Sequence, residues 1–251
     1  APKAPRLRFL FAATVPSLGC AVYDIRLGEP SQLTSTLTAD ASTRQMNNGR
    51  YRVIVSNQGD VGQVYDLKNK RAVLNTVHQQ MIYDHEDTWP PWEVSYTDVC
   101  RAPSATLGSG AQVTLVEDGP LRKSFRVERS QAGSTFVQYI RMTALSDRID
   151  CVNEVDWQTQ ERMLKVQFPF PFSPSQDPYD ISLGTITRGI RNADCYEVQG
   201  HQWADHTAAS GLYGVSILND CKYGWDKPDA RTLRLTLLHT PSCGGYKHQA
   251  N

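Results

Sequence analysis

Apolar and polar residues alternate along most of the chain, and this period of two is typical of β-strands. Every second residue is apolar across 164–172, and the same pattern returns at 51–55, 136–142, 149–157 and 233–237. Alternation places one set of side chains on a core and the other set towards solvent or a neighbouring element. The pattern therefore predicts many strands, and it offers at best a short helix, over residues 203–210.

Turns rich in Asn, Gly and Pro separate these runs. Asn47-Asn48-Gly49, residues 57–60 and residues 68–70 bound a first meander of short strands, because Asn and Gly tolerate the positive φ of tight hairpins. Further turns are expected at 117–120, 131–134 and 226–229. Many strands with this punctuation predict an all-β fold, either a sandwich or a stacked pair of large antiparallel sheets.

The sequence suggests a boundary near residue 40. Residues 28–48 are rich in Ser, Thr, Gln and Pro and have few apolar anchors, as linkers do. The preceding stretches, 7–15 and 20–27, are expected to be two strands, and a lone hairpin is only marginally stable. We therefore expect residues 1–40 to be the terminal strands of a small β-domain plus a linker, and 41–251 to be a larger, C-terminally truncated β-domain. Both ends look cut, which suggests a fragment of a longer protein.

Composition excludes several classes of function. The 251 residues include 26 basic and 26 acidic side chains, without the basic excess that nucleic-acid binding requires. No stretch approaches the roughly 18–20 apolar residues that cross a bilayer. We therefore expect neither nucleic acid nor a membrane as a partner. The six cysteines are widely spaced, as buried free thiols are, and no Asn-x-Ser/Thr sequon occurs, so a bacterial or cytosolic source is favoured.

No catalytic or metal motif stands out. Gly108-Ser109-Gly110 is interpreted as a turn, because no helix pattern follows it to cradle a phosphate. The acidic stretch 84–87 is expected to be a solvated loop, since neighbours on a strand face opposite sides and at most two could share an ion. His201 and His206 lack the i, i+4 spacing of paired ligands on a helix. We expect no metal site in this chain.

Two aromatic loops contain the residue types that bind sugars. Trp89-Pro90-Pro91-Trp92-Glu93 joins two indoles through a rigid diproline, and 219–226 combines amide, carboxylate, ammonium and aromatic groups. Sugars stack their apolar faces on Trp or Tyr and hydrogen-bond to Asp, Asn and Lys. The alternative, in which the indoles plug the ends of a sandwich and the polar residues make a turn, stays open. The candidate pocket-lining residues are Asn219, Asp220, Lys222, Tyr223, Trp225 and Trp92.

Seven stretches taken together resemble the C-terminal β-region of family-38 glycoside hydrolases, the retaining α-mannosidases. Two of them are His201-Gln202-Trp203-Ala204-Asp205 and the stretch from Tyr213 to Gly224, which includes Asn219-Asp220-Cys221-Lys222-Tyr223. The others, in family order with these, are 46–53, 118–122, 153–157, 164–169 and 233–238. The resemblance implies a large antiparallel β-supersandwich, similar to galactose mutarotases, after the last strands of a smaller β-sandwich.

The resemblance also implies where the chemistry lies. In this family the nucleophilic aspartate and the zinc ligands belong to an N-terminal α/β barrel, in H-x-D-x-G-W-like and D-x-F-G-H-like motifs that this sequence lacks. No catalytic residue and no zinc ligand can therefore be carried over, and zinc is expected only in that barrel. The implied partners are the chain's own N-terminal catalytic domain and mannosides or glycans. A homo-oligomeric parent enzyme is compatible with the resemblance. The loop 219–225 would lie near the mouth of the active site.

Two other functions stay open at this point. A stand-alone carbohydrate-binding module would present four aromatic rings to a sugar: Trp89, Trp92, Tyr223 and Trp225. A mutarotase-like sugar epimerase would need an acid and a base, and the pair that the sequence offers is His201 with Glu93.

Overall fold

The computed structural model describes residues 8–28, 34–85 and 89–241. Over these ranges the chain forms 19 strands and one short helix, and the strands make four antiparallel sheets arranged in a ring that resembles a four-blade propeller. The prediction of an all-β antiparallel fold is confirmed. No helix in the described ranges is long and apolar enough to span a membrane.

The first sheet is the predicted meander, with its strands in sequence order. Its members are β1 (Thr38–Asp40), β2 (Gln45–Asn47), β3 (Tyr51–Val55), β4 (Val61–Asp66) and β5 (Arg71–Leu74). The three predicted turns connect them, and Gly49 and Gly59 adopt φ values of 84° and 79° there. Both glycines thus occupy the left-handed region that side chains with a Cβ disfavour.

The second sheet is the largest and is assembled from distant parts of the chain. Its strands are β6 (His78–Tyr83), β7 (Ala105–Thr106), β12 (Arg162–Pro169), β15 (Val198–Gln199), β18 (Gly224–Asp229) and β19 (Thr232–Thr240), in the spatial order β15-β18-β19-β12-β6-β7. The single helix α1 (Tyr96–Cys100) follows β6, and the Ser95 side chain caps its N-terminus by accepting from the amide of Asp98.

The third sheet consists of consecutive long strands. They are β8 (Gln112–Asp118), β9 (Arg122–Gln131), β10 (Ser134–Thr143) and β11 (Ser146–Asp156). β9 and β10 pair along their whole length, from Ser134 opposite Gln131 to Thr143 opposite Arg122. The turns predicted at 117–120 and 131–134 join these strands, so both predictions are confirmed.

The fourth sheet corrects one prediction. It contains β13 (Asp177–Asp180), β14 (Thr185–Arg188), β16 (Trp203–Thr207) and β17 (Gly214–Leu218), in the order β14-β13-β16-β17. The stretch expected to be at best a short helix is thus a strand, paired with β17 from Trp203 opposite Leu218 to Thr207 opposite Gly214. Its buried residues, Ala204 and His206, are two apart, which is the spacing of a strand face.

The turn predicted at 226–229 is also wrong. These residues lie inside β18, where the register with β19 shifts between Asp226 and Asp229. The chain reverses direction at 230–231 instead. Asp, Lys and Pro are typical turn residues, but here Asp226 and Lys227 are buried and their charges are neutralised by residues far away in the sequence.

One apolar core is shared by all four sheets. Its buried members include Met46 and Val53 from the first sheet, Phe125 and Ile140 from the third, Tyr179 and Ala204 from the fourth, and Trp225 and Leu235 from the second. A smaller cluster of Ile82, Val99 and Met163 lies beneath α1. Burial of apolar surface at about 25 cal/mol per Å² makes the shared core the main source of stability.

Residues 8–28 do not contain the strands predicted for this part of the chain. All are exposed and none is a strand, although Phe11 contacts the ring of Tyr23 at 5.2 Å and Tyr23 Oη donates to the carbonyl of Thr14. A strand exists only where a neighbour completes its hydrogen bonds, and here the described residues supply none. β1, by contrast, pairs with β2. The domain boundary near residue 40 stays a prediction.

The structure confirms one of the two predictions about the thiols. The described cysteines, Cys20, Cys100, Cys151, Cys195 and Cys221, are free but exposed. The prediction of free thiols is confirmed for them, whereas the prediction that they are buried is wrong.

Candidate functional site

The loop 219–223 connects β17 to β18 and is shaped by Asn219. The amide of Asn219 donates to the carbonyl of Gln202 at 2.8 Å, and its side-chain Nδ2 donates to the carbonyl of His201 at 2.9 Å. Its Oδ1 accepts from the amide of Lys222 at 2.6 Å. Asn219 is therefore a structural residue of the loop, which ties it to β16 and closes it as a turn.

The remaining side chains of the loop face outwards. Asp220 and Cys221 are exposed, Lys222 is half-buried, and the ring of Tyr223 is 54% exposed. The thiol of Cys221 donates to Oδ1 of Asp220 at 3.3 Å, and this hydrogen bond raises the pKa of the thiol. The loop thus offers a carboxylate, an ammonium and a phenol to a ligand.

His201 extends this group. Its ring lies edge-on to Tyr223 at 5.4 Å, and its Nδ1 is 2.6 Å from the hydroxyl of Ser182. The carboxylate of Asp180 accepts from the amides of Ser182 at 3.0 Å and Gln202 at 2.9 Å. Sequence reasoning missed Asp180 and Ser182, although an Asp that bonds the amide two residues on is a recognisable turn signal.

Trp225 lies in the core and not on the surface. It is fully buried, its Nε1 donates to the carbonyl of Gly200 at 3.3 Å, and its ring meets Tyr179 edge-on at 5.9 Å. A Cβ on Gly200 would lie 2.9 Å from Trp225 Cδ1. The indole therefore packs beneath the loop, and its ring has no surface with which to line a pocket.

A buried ionic cluster follows directly after the loop. Asp226 accepts from Lys165 at 3.1 Å, from Arg191 at 2.8 Å and from Arg234 at 2.6 Å. Burial alone raises the pKa of Asp226, but the charges of Lys165 and Arg234 outweigh it and leave the pKa below its usual value. A carboxylate so placed stays ionised, since each cation favours its charged form.

Lys165 links this cluster to the loop. It is completely buried and donates to Glu197, to Asp226 and to Thr236. Oε1 of Glu197 in turn lies where a Cβ on Gly224 would come within 2.6 Å. The residue after Tyr223 must therefore be small, and the C-terminal end of the loop is fixed by the cluster.

A second ion pair lies one residue further along β18. Lys227 donates to Oδ2 of Asp177 at 2.6 Å, and both side chains are essentially inaccessible to solvent. This pair fixes β18 against β13 of the fourth sheet. The loop 219–223 is therefore held by Asn219 at one end and by two buried ionic groups at the other.

Trp92 lies on a different connection, between β6 and α1. It is 75% exposed and meets the 67% exposed Trp89 edge-on at 6.0 Å. Glu93 is exposed beside it, and its amide donates to the carbonyl of Trp89. His201 is instead engaged with Ser182, so no contact supports the His201–Glu93 acid–base pair of a mutarotase.

The described residues of the acidic stretch 84–87 are not a solvated loop throughout. Asp84 is buried, and its Oδ2 is 3.2 Å from Nδ1 of His239, a hydrogen bond that raises the pKa of His239. Residues 86 and 87 lie outside the described ranges. Across those ranges, no group of three or more His, Cys, Asp and Glu side chains is arranged to hold a metal ion.

Comparisons with known proteins connect this geometry to one family. Residues 46–243 match the model of the glycosyl hydrolases family 38 C-terminal domain. The chain is 26% identical to α-mannosidase 2C1 of Mus musculus, covering 96% of this chain and 24% of that protein. It is also 26% identical to α-mannosidase G of Dictyostelium discoideum, over 78% of this chain and 20% of that protein. The chain thus spans about a fifth to a quarter of the length of these relatives.

Solved structures show the same fold. A glycosyl hydrolase family 38 protein from Enterococcus faecalis aligns with a TM-score of 0.68 at 15% identity, over 84% of this chain and 28% of that one. An α-mannosidase from E. faecalis V583 aligns with a TM-score of 0.67 over 84% of this chain and 27% of that one. The family match covers most of the chain, including the loop and both ionic groups, and confirms the resemblance seen in the sequence. The chain belongs to glycoside hydrolase family 38, within its C-terminal domain.

Proposed function

We propose that this chain is the C-terminal β-domain of a retaining α-mannosidase and that its 219–223 loop lines a glycan site completed by an N-terminal catalytic domain. One observation carries the proposal: in a family-38 C-terminal domain, Asp220, Lys222 and Tyr223 face solvent on a loop whose two ends are fixed. Polar groups held in this way bind with little further loss of conformational entropy.

The chemistry of these side chains suits a sugar. The ammonium of Lys222 donates to hydroxyl groups, the carboxylate of Asp220 accepts from them, and the exposed face of Tyr223 offers a stacking surface. Retaining hydrolysis itself needs one carboxylate as nucleophile and another as acid and base. We assign both to the catalytic domain, so the residues of this chain would bind and orient the glycan.

Two structural expectations belong to the same proposal. The four sheets would be the β-supersandwich that the family resemblance implies, and residues 1–40 would lead into it from a smaller β-domain. Zinc would be bound in the catalytic domain, as the family resemblance implies.

The proposal is tested with Lys222→Ala in an α-mannosidase that contains this chain. We expect kcat/KM for an aryl α-mannoside to fall about tenfold, as for the loss of one charged contact to the transition state. Lys68→Ala is the matched control, because Lys68 is exposed in the hairpin between β4 and β5. Unchanged kcat/KM for Lys222→Ala, with both variants folded, would overturn the proposal.

A second candidate is a sugar-binding module that works alone. The exposure of Trp89 and Trp92 favours it, but their edge-on geometry does not form a flat platform and Trp225 is buried. Calorimetric titration of the 251-residue chain with mannobiose distinguishes the two. Saturable binding that Trp92→Ala abolishes would support the module, whereas our proposal predicts no binding by the chain alone.

A further inference from the structure

A cavity lies beside β18, none of its lining residues belongs to the loop 219–223, and the proposed function does not use it. It has a volume of about 240 Å³ and is formed where residues 187–198 fold over β13 and β18. Tyr179, Arg188, Arg191 and Lys227 are among its lining residues. This volume is slightly below the range of about 300–1,000 Å³ of typical ligand pockets, and it suits a small organic molecule.

One lining group has an unmet hydrogen bond. Tyr179 is completely buried, and its hydroxyl has no hydrogen-bond partner among the described residues. Burial raises the pKa of this phenol, which therefore remains a proton donor at neutral pH. Buried polar atoms are nearly always paired, so an unpaired hydroxyl in the wall of a cavity points to a missing acceptor.

The charge around the cavity is also unbalanced. The charged lining residues are three cationic side chains, Arg188, Arg191 and Lys227, and one carboxylate, Asp226. Arg191 is paired with Asp226 and Lys227 with Asp177, as buried charges normally are, whereas the half-buried Arg188 has no ion pair with a described carboxylate. The excess therefore favours an anion in the cavity.

Arg188 is the main source of this excess positive charge. It donates to the carbonyl of Gln199 and lies 5.6 Å from the centre of the Tyr179 ring, but it forms no ion pair with any described carboxylate. Asp226, which also lines the cavity, already accepts from Lys165, Arg191 and Arg234. The cavity wall therefore has more donors than acceptors.

We propose that this cavity binds a small phosphate ester of about the size of a monosaccharide phosphate. The guanidinium of Arg188 would face the anionic group and the Tyr179 hydroxyl would donate to it. Arginine suits this role because its planar N–H groups match the oxygens of carboxylates and phosphates. The site is separate from the 219–223 loop and does not depend on the proposed function.

Calorimetric titration of the 251-residue chain with mannose 6-phosphate and with mannose tests the proposal. We expect saturable binding of the phosphate ester only. Arg188→Gln should weaken it about tenfold, as for the loss of one charge-assisted contact. Arg148→Gln, which removes an arginine exposed on β11, should leave the affinity unchanged.

Tyr179→Phe provides a second test, because it keeps the packing against Trp225 and removes only the hydroxyl. It should not lower the melting temperature of the free chain, and it should weaken the phosphate ester several-fold. The proposal is wrong if neither sugar binds, if mannose binds as tightly as its phosphate, or if Arg188→Gln and wild type have equal affinity.

Discussion

The two halves of one short segment, 219–223 and 224–227, contain the same kinds of residue and have opposite fates. Each half has an aspartate, a lysine and an aromatic ring. In the first half the charged groups and the ring face solvent. In the second half the indole, the carboxylate and the ammonium are all buried, and the two charges are neutralised by ion pairs.

The difference arises from what covers each half. Residues 191–197 and α1 lie over the polar face of β18 and β19, so that Asp226 and Arg234 are buried on a face that would otherwise be solvated. Nothing in the described structure lies over 219–223 in the same way. Charged residues in this protein thus become scaffold or surface according to their tertiary partners, and residue type alone does not distinguish the two.

The largest expected effect is on the buried half. Lys165→Met should lower the free energy of unfolding by about 3–5 kcal/mol, because Asp226 and Glu197 lose a buried cation. Urea denaturation measures this change. Lys222→Met in the exposed half is the matched control and should change stability by less than about 0.5 kcal/mol. Equal losses in the two variants would contradict the comparison.

The junction between the halves gives the next largest effect. Gly224→Ala should cost about 1–3 kcal/mol, because its Cβ would lie 2.6 Å from Glu197 Oε1 and 3.2 Å from Thr236 Cβ. Gly184→Ala is the control, since its Cβ would have no heavy atom within 4 Å. Thermal unfolding of both variants measures the difference. A Gly224→Ala protein as stable as wild type would show that Glu197 and Thr236 do not restrict the residue at this position.

In the exposed half, stability and function should separate. Tyr223→Ala should change the free energy of unfolding by no more than about 0.5 kcal/mol. If the loop lines a glycan site as proposed, the same variant should raise KM for an oligomannoside in an α-mannosidase that contains this chain, because a stacking surface is lost. Steady-state kinetics alongside urea denaturation measures both quantities. A strongly destabilised Tyr223→Ala protein would show instead that this ring stabilises the fold.

The smallest effect concerns pH. The hydrogen bond to Asp84 raises the pKa of His239 above its ordinary 6.5. The folded state therefore binds this proton more tightly, and the added stability is present below pH 6.5 and is lost as the pH rises through the folded pKa. Stability of wild type relative to His239→Gln, measured by urea denaturation at several pH values, should decline across that range. A difference that does not vary with pH would rule out this linkage.

The sequence predicts the parts of the fold that depend on neighbouring residues. Alternation and turn chemistry predict the first and third sheets, where consecutive strands pair through short turns at Gly49, Gly59 and 131–134. It fails where the partner is distant. The strand 203–207 has little intrinsic signal, and pairing with β17 decides its structure. Residues 226–229 look like a turn by residue type, but Asp226 and Lys227 are buried because their ionic partners come from residues 165, 177, 191 and 234.

In the candidate site, too, the sequence predicts what neighbouring residues determine and fails where distant residues decide. The polar residue types of 219–223 predict a loop, and the structure has a loop at this position. Whether a ring lies on that loop or beneath it cannot be predicted from the types alone, and Trp225 is beneath it. Asp180 and Ser182, which support His201, come from a different turn and become neighbours only when the fourth sheet assembles.

The two glycines beside Trp225 have a consequence for engineering. A side chain on Gly200 would meet the indole and one on Gly224 would meet Glu197, so a larger residue at either position should cost stability. Of the five positions between Leu218 and Gly224, Asn219 is held by its hydrogen bonds, whereas Asp220, Cys221 and Tyr223 are exposed. Charge and ring type should therefore be exchangeable at the exposed positions while the surrounding domain keeps its shape, which makes them the positions to vary in a test of the proposed glycan contact.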